Sequence, residues 1–370
     1  MSKPKNITIA EIINYLESVA PLSFQEDYDN CGLLTGDPEW QFRKALLCLD
    51  VTPEVMNEAI IQQCNLIISH HPAIFHGLKK LTGNQPETEI LVCALKNDIA
   101  LYAIHTNLDN TFHGLNALIL SKLGISEYMV LSPKNGMMVK LATFCPVAYA
   151  DEVRDALFKA GAGYIGNYDC CSFSAPGKGS FRASEKANPF VGEKNKLHLE
   201  EEVRIEVIFP KYLERKIIMY LRIAHPYEEV AYDLYPLNNI SYSYGSGLIG
   251  WLPKPLEENY FLEFLKSTLN LPVIRHSAKR SKEITRVGIC TGSGSFLIPE
   301  AIKSFADVFL TADLKYHDFF NIKDKLLLAD IGHYESERCV KEWLYAVLVE
   351  KFPNFAFLIS EVNTNPVYYL

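Results

Sequence analysis

The stretch ISHHPAIFHG, residues 68–77, places two histidines side by side one residue after the apolar run Leu66-Ile67-Ile68. Imidazole nitrogens ligate metals and carry protons near neutral pH. In a regular strand, neighbouring side chains face opposite sides. Two adjacent imidazoles therefore serve one site only where the strand ends. Pro72 meets that condition, because it holds His71 extended and offers no N–H to a ladder. Both rings can then converge, or each can serve a different ion.

The same arrangement recurs along the chain: a buried strand, a polar residue of ligand type at its C-terminal end, then a helix. His105 ends the run 99–105 and Asp109 lies just past it in HTNLDN, Asp313 and His317 follow 307–311, and His333 and Glu337 follow 325–331 in GHYESE. In open parallel sheets, ligands bind outside the carboxyl ends of the strands, so these groups can meet at one edge. His333 and Glu337 are four residues apart where a helix begins, which puts both on one face and suits a divalent metal. Taken alone, the pair also reads as a solvated surface pair. Asp109 reads as a ligand or as a loop residue closing an Asx-turn, and His105 as a proton carrier or a core histidine. His70, His71, His333, Asp109 and Glu337 are too many for one tetrahedral ion and fit two ions about 3.5–4 Å apart with a shared carboxylate. The histidine–carboxylate mixture suits Zn, Fe, Mn, Co or Ni. Gly292-Ser293-Gly294-Ser295 joins a strand to a helix and reads as a phosphate contact or as a tight turn. It lacks the third glycine of a dinucleotide fingerprint and the lysine of a P-loop.

The elements that must position these residues follow from periodicity. Residues 1–135 alternate buried strands (44–52, 64–71, 99–109) with helices (53–63, 86–98, 114–124). The pattern returns from 251, with strands expected at 284–293, 307–314, 325–332 and 355–362. Strands separated by helices predict an α/β layer with a largely parallel sheet. Between them, 136–250 reads as strand, helix, strand, a polar arm at about 176–200, strand, helix, strand, the ferredoxin-like βαββαβ order. The simplest architecture is one α/β core, split into 1–135 and 251–370 by an inserted α+β domain; two independent α/β domains are the alternative.

Composition narrows the function. The chain has 370 residues, 48% hydrophobic and 22% charged, as in ordinary globular proteins. Its 36 basic and 44 acidic residues give a net charge of −8, which disfavours a general nucleic-acid surface. No run reaches the ~20 apolar residues of a membrane span. The first twenty residues read as an amphipathic helix capped by Thr8 and Glu11, not as a signal peptide. Nine cysteines without a CxxC motif read as free thiols. The expected location is cytoplasmic.

The segments DYDNCGLLTGDP (27–38), LLCLDVTPEVMNEAI (46–60), LIISHHPAIF (66–75), AIHTNLDNTFHGLNALI (103–119), CTGSGSFLI (290–298), LTADLKYHD (310–318) and DIGHYESE (330–337) together resemble the Nif-three-like dinuclear metal-centre proteins, catalogued as GTP cyclohydrolase 1 type 2 homologs. The middle domain resembles the PII-like or divalent-ion-tolerance-type insert of longer members. The resemblance implies that the flanking halves form one unit. It also implies two divalent ions per subunit on His70, His71, Asp109, His333 and Glu337, with Glu337 bridging, and a toroidal homohexamer, a trimer of dimers. Thr311-Ala312-Asp313 departs from the family's T-G-D and keeps the acid. The implied activity is metal-dependent hydrolysis of a nucleotide-like or phosphorylated small molecule, with Asp313, His317 or His105 moving protons or supporting the ligands from behind, and His317 alternatively touching the substrate. GTP itself is implied by the family label alone. The alternative is a non-catalytic or regulatory assembly whose insert senses a small molecule.

Overall fold

The computed structural model describes residues 6–82, 85–241, 243–322 and 324–370. The first five residues of the N-terminal stretch and Tyr242, expected in the insert, lie outside the described residues. The chain forms two compact units. One joins the residues up to Pro133 with those from Ser243 onward, and the other is Lys134–Ser241.

The first unit contains two sheets where one largely parallel sheet was expected. The five-stranded sheet runs in the order Gly32–Thr35, Ala100–Ala103, Leu66–Ser69, Lys44–Cys48, Ala356–Ile359. All its pairs are parallel except the first. The six-stranded sheet runs Arg275–His276, Leu327–Asp330, Val308–Thr311, Glu283–Ile289, Gly245–Glu257, Tyr128–Pro133. Only the pairs on either side of Val308–Thr311 are parallel. The antiparallel strands Gly32–Thr35, Tyr128–Pro133 and Gly245–Glu257 lie outside the strand–helix alternation, which is why the pattern missed them. Each half of the chain lends the other a strand: Ala356–Ile359 completes the first sheet and Tyr128–Pro133 the second. A continuous apolar core including Leu47, Ile68, Tyr102, Val287, Leu310 and Leu327 joins them.

Local signals account for the helices. The Thr8 amide donates to the Glu11 carboxylate at 3.0 Å at the start of Ile9–Val19, and Ile9, Ile12, Ile13 and Leu16 form its buried stripe. Burying each such side chain contributes about 1.5–3 kcal/mol. Pro53 opens Pro53–Ile61, where Thr52 Oγ1 accepts from the Val55 amide at 3.3 Å. Among the described residues no helix is long and apolar enough to cross a membrane.

The second unit is a four-stranded antiparallel sheet in the order Phe173–Arg182, Leu197–Pro210, Met138–Pro146, Tyr232–Leu237. Helices Ala150–Ala160 and Glu214–Ala224 pack on one face through Leu141, Val153, Leu157, Ile205 and Ile217. The strand expected before the polar arm starts only at Phe173 and runs into the arm, and both ends of the arm are strand, paired from Phe173↔Glu206 to Arg182↔Leu197. Its Ser, Gly and Lys residues give no apolar alternation to read.

His225 sits between this sheet and the following loop. Its Nε2–H donates to the Phe144 carbonyl at 2.9 Å, and its Nδ1 accepts from the Tyr227 amide at 3.1 Å. Burial pushes its pKa down, only partly opposed by the Phe144 contact and Glu202. The unfolded chain then binds a proton more readily than the fold, so this contribution is present above pH ~6.5 and is lost as pH falls towards the depressed value. Amide exchange in 134–241 is expected to accelerate between pH 7 and 5, after correction for the intrinsic rate, and the acid step should flatten in His225→Asn.

Candidate metal centre

The strand Leu66–Ser69 ends one residue before His70. Backbone bonding to the neighbouring strand persists through both histidines, from the His70 amide to the Cys48 carbonyl (3.2 Å) and from the His71 amide to Leu49 (2.9 Å). The rings nevertheless converge, with centroids 5.2 Å apart. Asp109 closes the one-turn helix Thr106–Asp109 that follows the strand Ala100–Ala103. His333 and Glu337 bound the short helix His333–Glu337 after Leu327–Asp330.

These five side chains meet around one carboxylate. Glu337, 2% exposed, lies with Oε2 at 3.0 Å from the Nε2 atoms of both His71 and His333. Its Oε1 is 3.9 Å from His70 Nε2, which is 3.6 Å from Asp109 Oδ1. Two donor sets result, His71–His333–Glu337 and His70–Asp109–Glu337, each able to hold a metal ion. A third grouping, His70–His71–His105, faces the same space.

The outer ring nitrogens are all engaged. His70 Nδ1–H donates to the Ile104 carbonyl at 2.8 Å, His71 Nδ1 to Asp50 at 2.7 Å, and His333 Nδ1 to Asp313 at 2.7 Å. In the neutral tautomer so selected, every Nε2 lone pair points inward, the usual preparation of metal-ligating histidine. His70 Nε2, Asp109 Oδ1 and Glu337 Oε2 are buried with no hydrogen-bond partner. Buried polar atoms are rarely left so, and a cation among them answers all three.

Without a metal, protons on two of these rings take the cation's place beside Glu337. Burial pushes His70 down to about 4 against the pull of Glu337. Burial also opposes charge on His71 and His333, yet Asp50 and Glu337 raise His71 to about 10, and Glu337 and Asp313 raise His333 to about 9. Glu337, despite its burial, is held well below the usual carboxylate range by the three imidazoles. Burial and the Glu337 charge raise Asp109.

The other expected site residues fall in different places. Asp313, at φ +55°, is committed to His333, which makes it a positioning group and not a free proton carrier. His317 is exposed before the helix Asp318–Asn321, beside Tyr316 and Phe320, and borders none of the cavities around the cluster. His105 lines the cavity over the cluster, with Nδ1 2.8 Å from Asp29. In the Gly-Ser turn, the Gly292 and Gly294 amides donate to Ser336 and Thr311 hydroxyls at 3.0 and 2.8 Å. The following helix, Ile298–Lys303, is only 6 residues long. The turn therefore packs the site more than it offers amides to a phosphate, with Ser293 reaching the cavity and Ser295 opening a short 3-10 turn. Gly292 has φ +62°, and a Cβ there would lie 2.2 Å from Glu337 Oε1.

Sequence reasoning missed Asp50 and Asp29. Asp50 follows a buried strand in the same manner as the ligands and could have been found by that signal. Asp29 sits in a loop without one. Its carboxylate accepts from His105 and from the Thr106 amide and hydroxyl. Burial notwithstanding, these contacts lower its pKa strongly.

The chain is similar to known proteins along its length. A family model described as Duf34/NIF3 (NGG1p interacting factor 3) matches residues 7–366. A Bacillus subtilis (strain 168) protein named GTP cyclohydrolase 1 type 2 homolog is 36% identical over 375 residues, 99% of this chain and 100% of that one. The crystal structure of a Bacillus cereus protein related to NIF3 superposes with a TM-score of 0.84 at 38% identity over 100% of both chains. Staphylococcus aureus protein SA1388 gives 0.76 at 30% identity, covering 98% of this chain and 99% of that one.

Two outcomes follow. A metal must displace protons from His71 and His333, so its apparent affinity should rise with pH up to about 10, with proton release at pH 7 measured by calorimetry in buffers of differing ionisation enthalpy. Gly292→Ala should lose metal by displacing Glu337, read by elemental analysis, while far-UV circular dichroism stays native.

Proposed function

Because the chain belongs to the Duf34/NIF3 family, we propose that it is a dinuclear metal-dependent hydrolase acting on a nucleotide-like or phosphorylated small molecule. One observation carries the reading: a buried carboxylate, Glu337, stands between two donor sets whose imidazole lone pairs all face inward. His70 and Asp109 would hold one ion, His71 and His333 the other, and Glu337 would touch both. Two bound divalent ions supply Lewis acidity and lower the pKa of water towards neutrality. Zn, Fe, Mn, Co and Ni all suit these ligands.

The chain's own groups set the rest. The cavity over the cluster has a volume of about 310 Å³ and is walled by Tyr28, Phe75 and Phe296, which suits a flat ring. His105, oriented by Asp29, takes a proton from the attacking water and returns it to the leaving group. Asp50, Asp313 and the Ile104 carbonyl keep the three metal-facing rings aligned. The name borne by the relatives makes GTP the first substrate to test. The insert's sheet order and its two helices on one face support a ferredoxin-like domain of PII-like type. Nine free cysteines, five of them buried, support a cytoplasmic location. Exposed Tyr316, Phe320 and Phe305 support self-association, which we read as a homohexamer. Light scattering should then give six times the 41.9 kDa chain mass.

The test combines metal analysis with hydrolysis assays on GTP and simple phosphoesters. Wild type should carry two ions and turn over at least one of these; Glu337→Ala should lose both ions and all turnover. His70→Ala and His71→Ala should each lose mainly one ion. Two ions bound without turnover on any substrate class would favour a regulatory role, and a metal-free protein after supplementation would defeat the reading.

A further inference from the structure

The two helices of Lys134–Ser241 cover one face of its sheet, and the alternate residues of each strand form the other. The register aligns Phe144, Arg204 and Ala175 in one row and Glu202 with Gly177 in the next. Small residues keep the floor of this face low. Phe190 and Tyr227, from loops outside the strands, rise over it and enclose a cavity of about 630 Å³. That volume is within the range of small-molecule sites.

The walls are aromatic. The Tyr227 ring centroid lies 6.1 Å from that of Phe181 and 6.2 Å from that of Phe190. The Tyr227 hydroxyl donates to Glu202 at 2.9 Å, which fixes a carboxylate beside the rings, over Gly179. Glu228 and Glu229 add to the lining. The two cations on the wall are held by other glutamates, Lys178 by Glu201 and Arg204 by Glu206, each at 2.8 Å. The field inside is therefore negative. Ring faces together with carboxylates attract a positive charge, whereas a carboxylate or phosphate would meet like charge.

We propose that this cavity is a binding site for an organic cation, an ammonium or a flat amine-bearing ring, seated among Phe181, Phe190 and Tyr227 with its charge towards Glu202. The site is independent of the metal centre and of the activity proposed for it. Gly177 supplies a clean test, because a Cβ there meets nothing within 4 Å. A larger side chain at that position fills the cavity without straining the sheet.

The experiment titrates the full-length protein with benzyltrimethylammonium and with benzoate, an anion of similar size, by calorimetry. The cation should bind saturably and benzoate should not. Gly177→Leu, Phe190→Ala and Glu202→Gln should each weaken the cation about tenfold or more, the loss of one ring or one charge, and leave metal content unchanged. Absence of cation binding, equal binding of benzoate, or full binding by Gly177→Leu overturns the proposal. So does a fall in particle mass for Gly177→Leu when wild type binds no cation, since the face would then belong to a second copy of the chain.

Discussion

A carboxylate buried among imidazoles that have turned their protons away is the constraint on which the first unit depends. Removing an ion from water costs several kcal/mol even after relaxation. Glu337 bears that cost with only two remedies. His71 and His333 can each take a second proton, which their raised pKa values permit. Alternatively, a cation can sit between the carboxylate and the inward-facing Nε2 atoms. His70 has only the second remedy, since burial keeps it neutral and its Nδ1–H is given to a backbone carbonyl. The surroundings serve this arrangement: Gly292 has no Cβ because Glu337 occupies that space, and Ser336 ties the Gly292 amide to the helix bearing Glu337.

The two sheets explain how such distant residues meet. His70, His71 and Asp109 leave the five-stranded sheet and His333 and Glu337 leave the six-stranded one, all beyond the C-terminal ends of parallel strands. Asn116 pins the two together. Its amide donates to the Asp109 carbonyl at 3.1 Å, and its carbonyl oxygen accepts from the Thr291 amide at 2.9 Å. A fully buried asparagine with both ends used fixes relative position as well as contributing energy. The exchanged edge strands add the same constraint at larger scale.

This logic explains what could be read from the sequence. A ligand at the end of a buried strand is a local signal, so the strand-end rule found Glu337 and the four residues that surround its carboxylate. It also selected His317, whose spacing is the same but whose ring lies outside among Tyr316 and Phe320, because spacing does not encode the direction of a loop. Asp29 was invisible for a related reason: its partner is 76 residues away, and only the fold brings the two together. The single parallel sheet expected from the strand–helix alternation became two sheets because antiparallel edge strands carry no helix to announce them. The strand Phe173–Arg182 was hidden because one of its faces lines an open cavity and so need not be apolar.

The two donor sets around Glu337 are not equivalent. The set containing His70 offers one nitrogen and two carboxylate groups in a buried setting, with a neutral carbonyl behind the imidazole. The set containing His71 and His333 offers two nitrogens and one carboxylate, with a carboxylate behind each imidazole and more solvent nearby. Imidazole favours the later transition metals and oxygen-rich sites favour harder ions, and a carboxylate behind an imidazole raises its basicity. The His71–His333 half would therefore be the stronger site for a borderline ion such as Zn²⁺, while the His70–Asp109 half would depend on the Glu337 carboxylate for much of its charge. Glu337 would then do more than join the halves: an ion in one half would draw on the same carboxylate that the other half needs. On the proposed two-ion reading, occupancy of the two halves would be coupled through that single side chain.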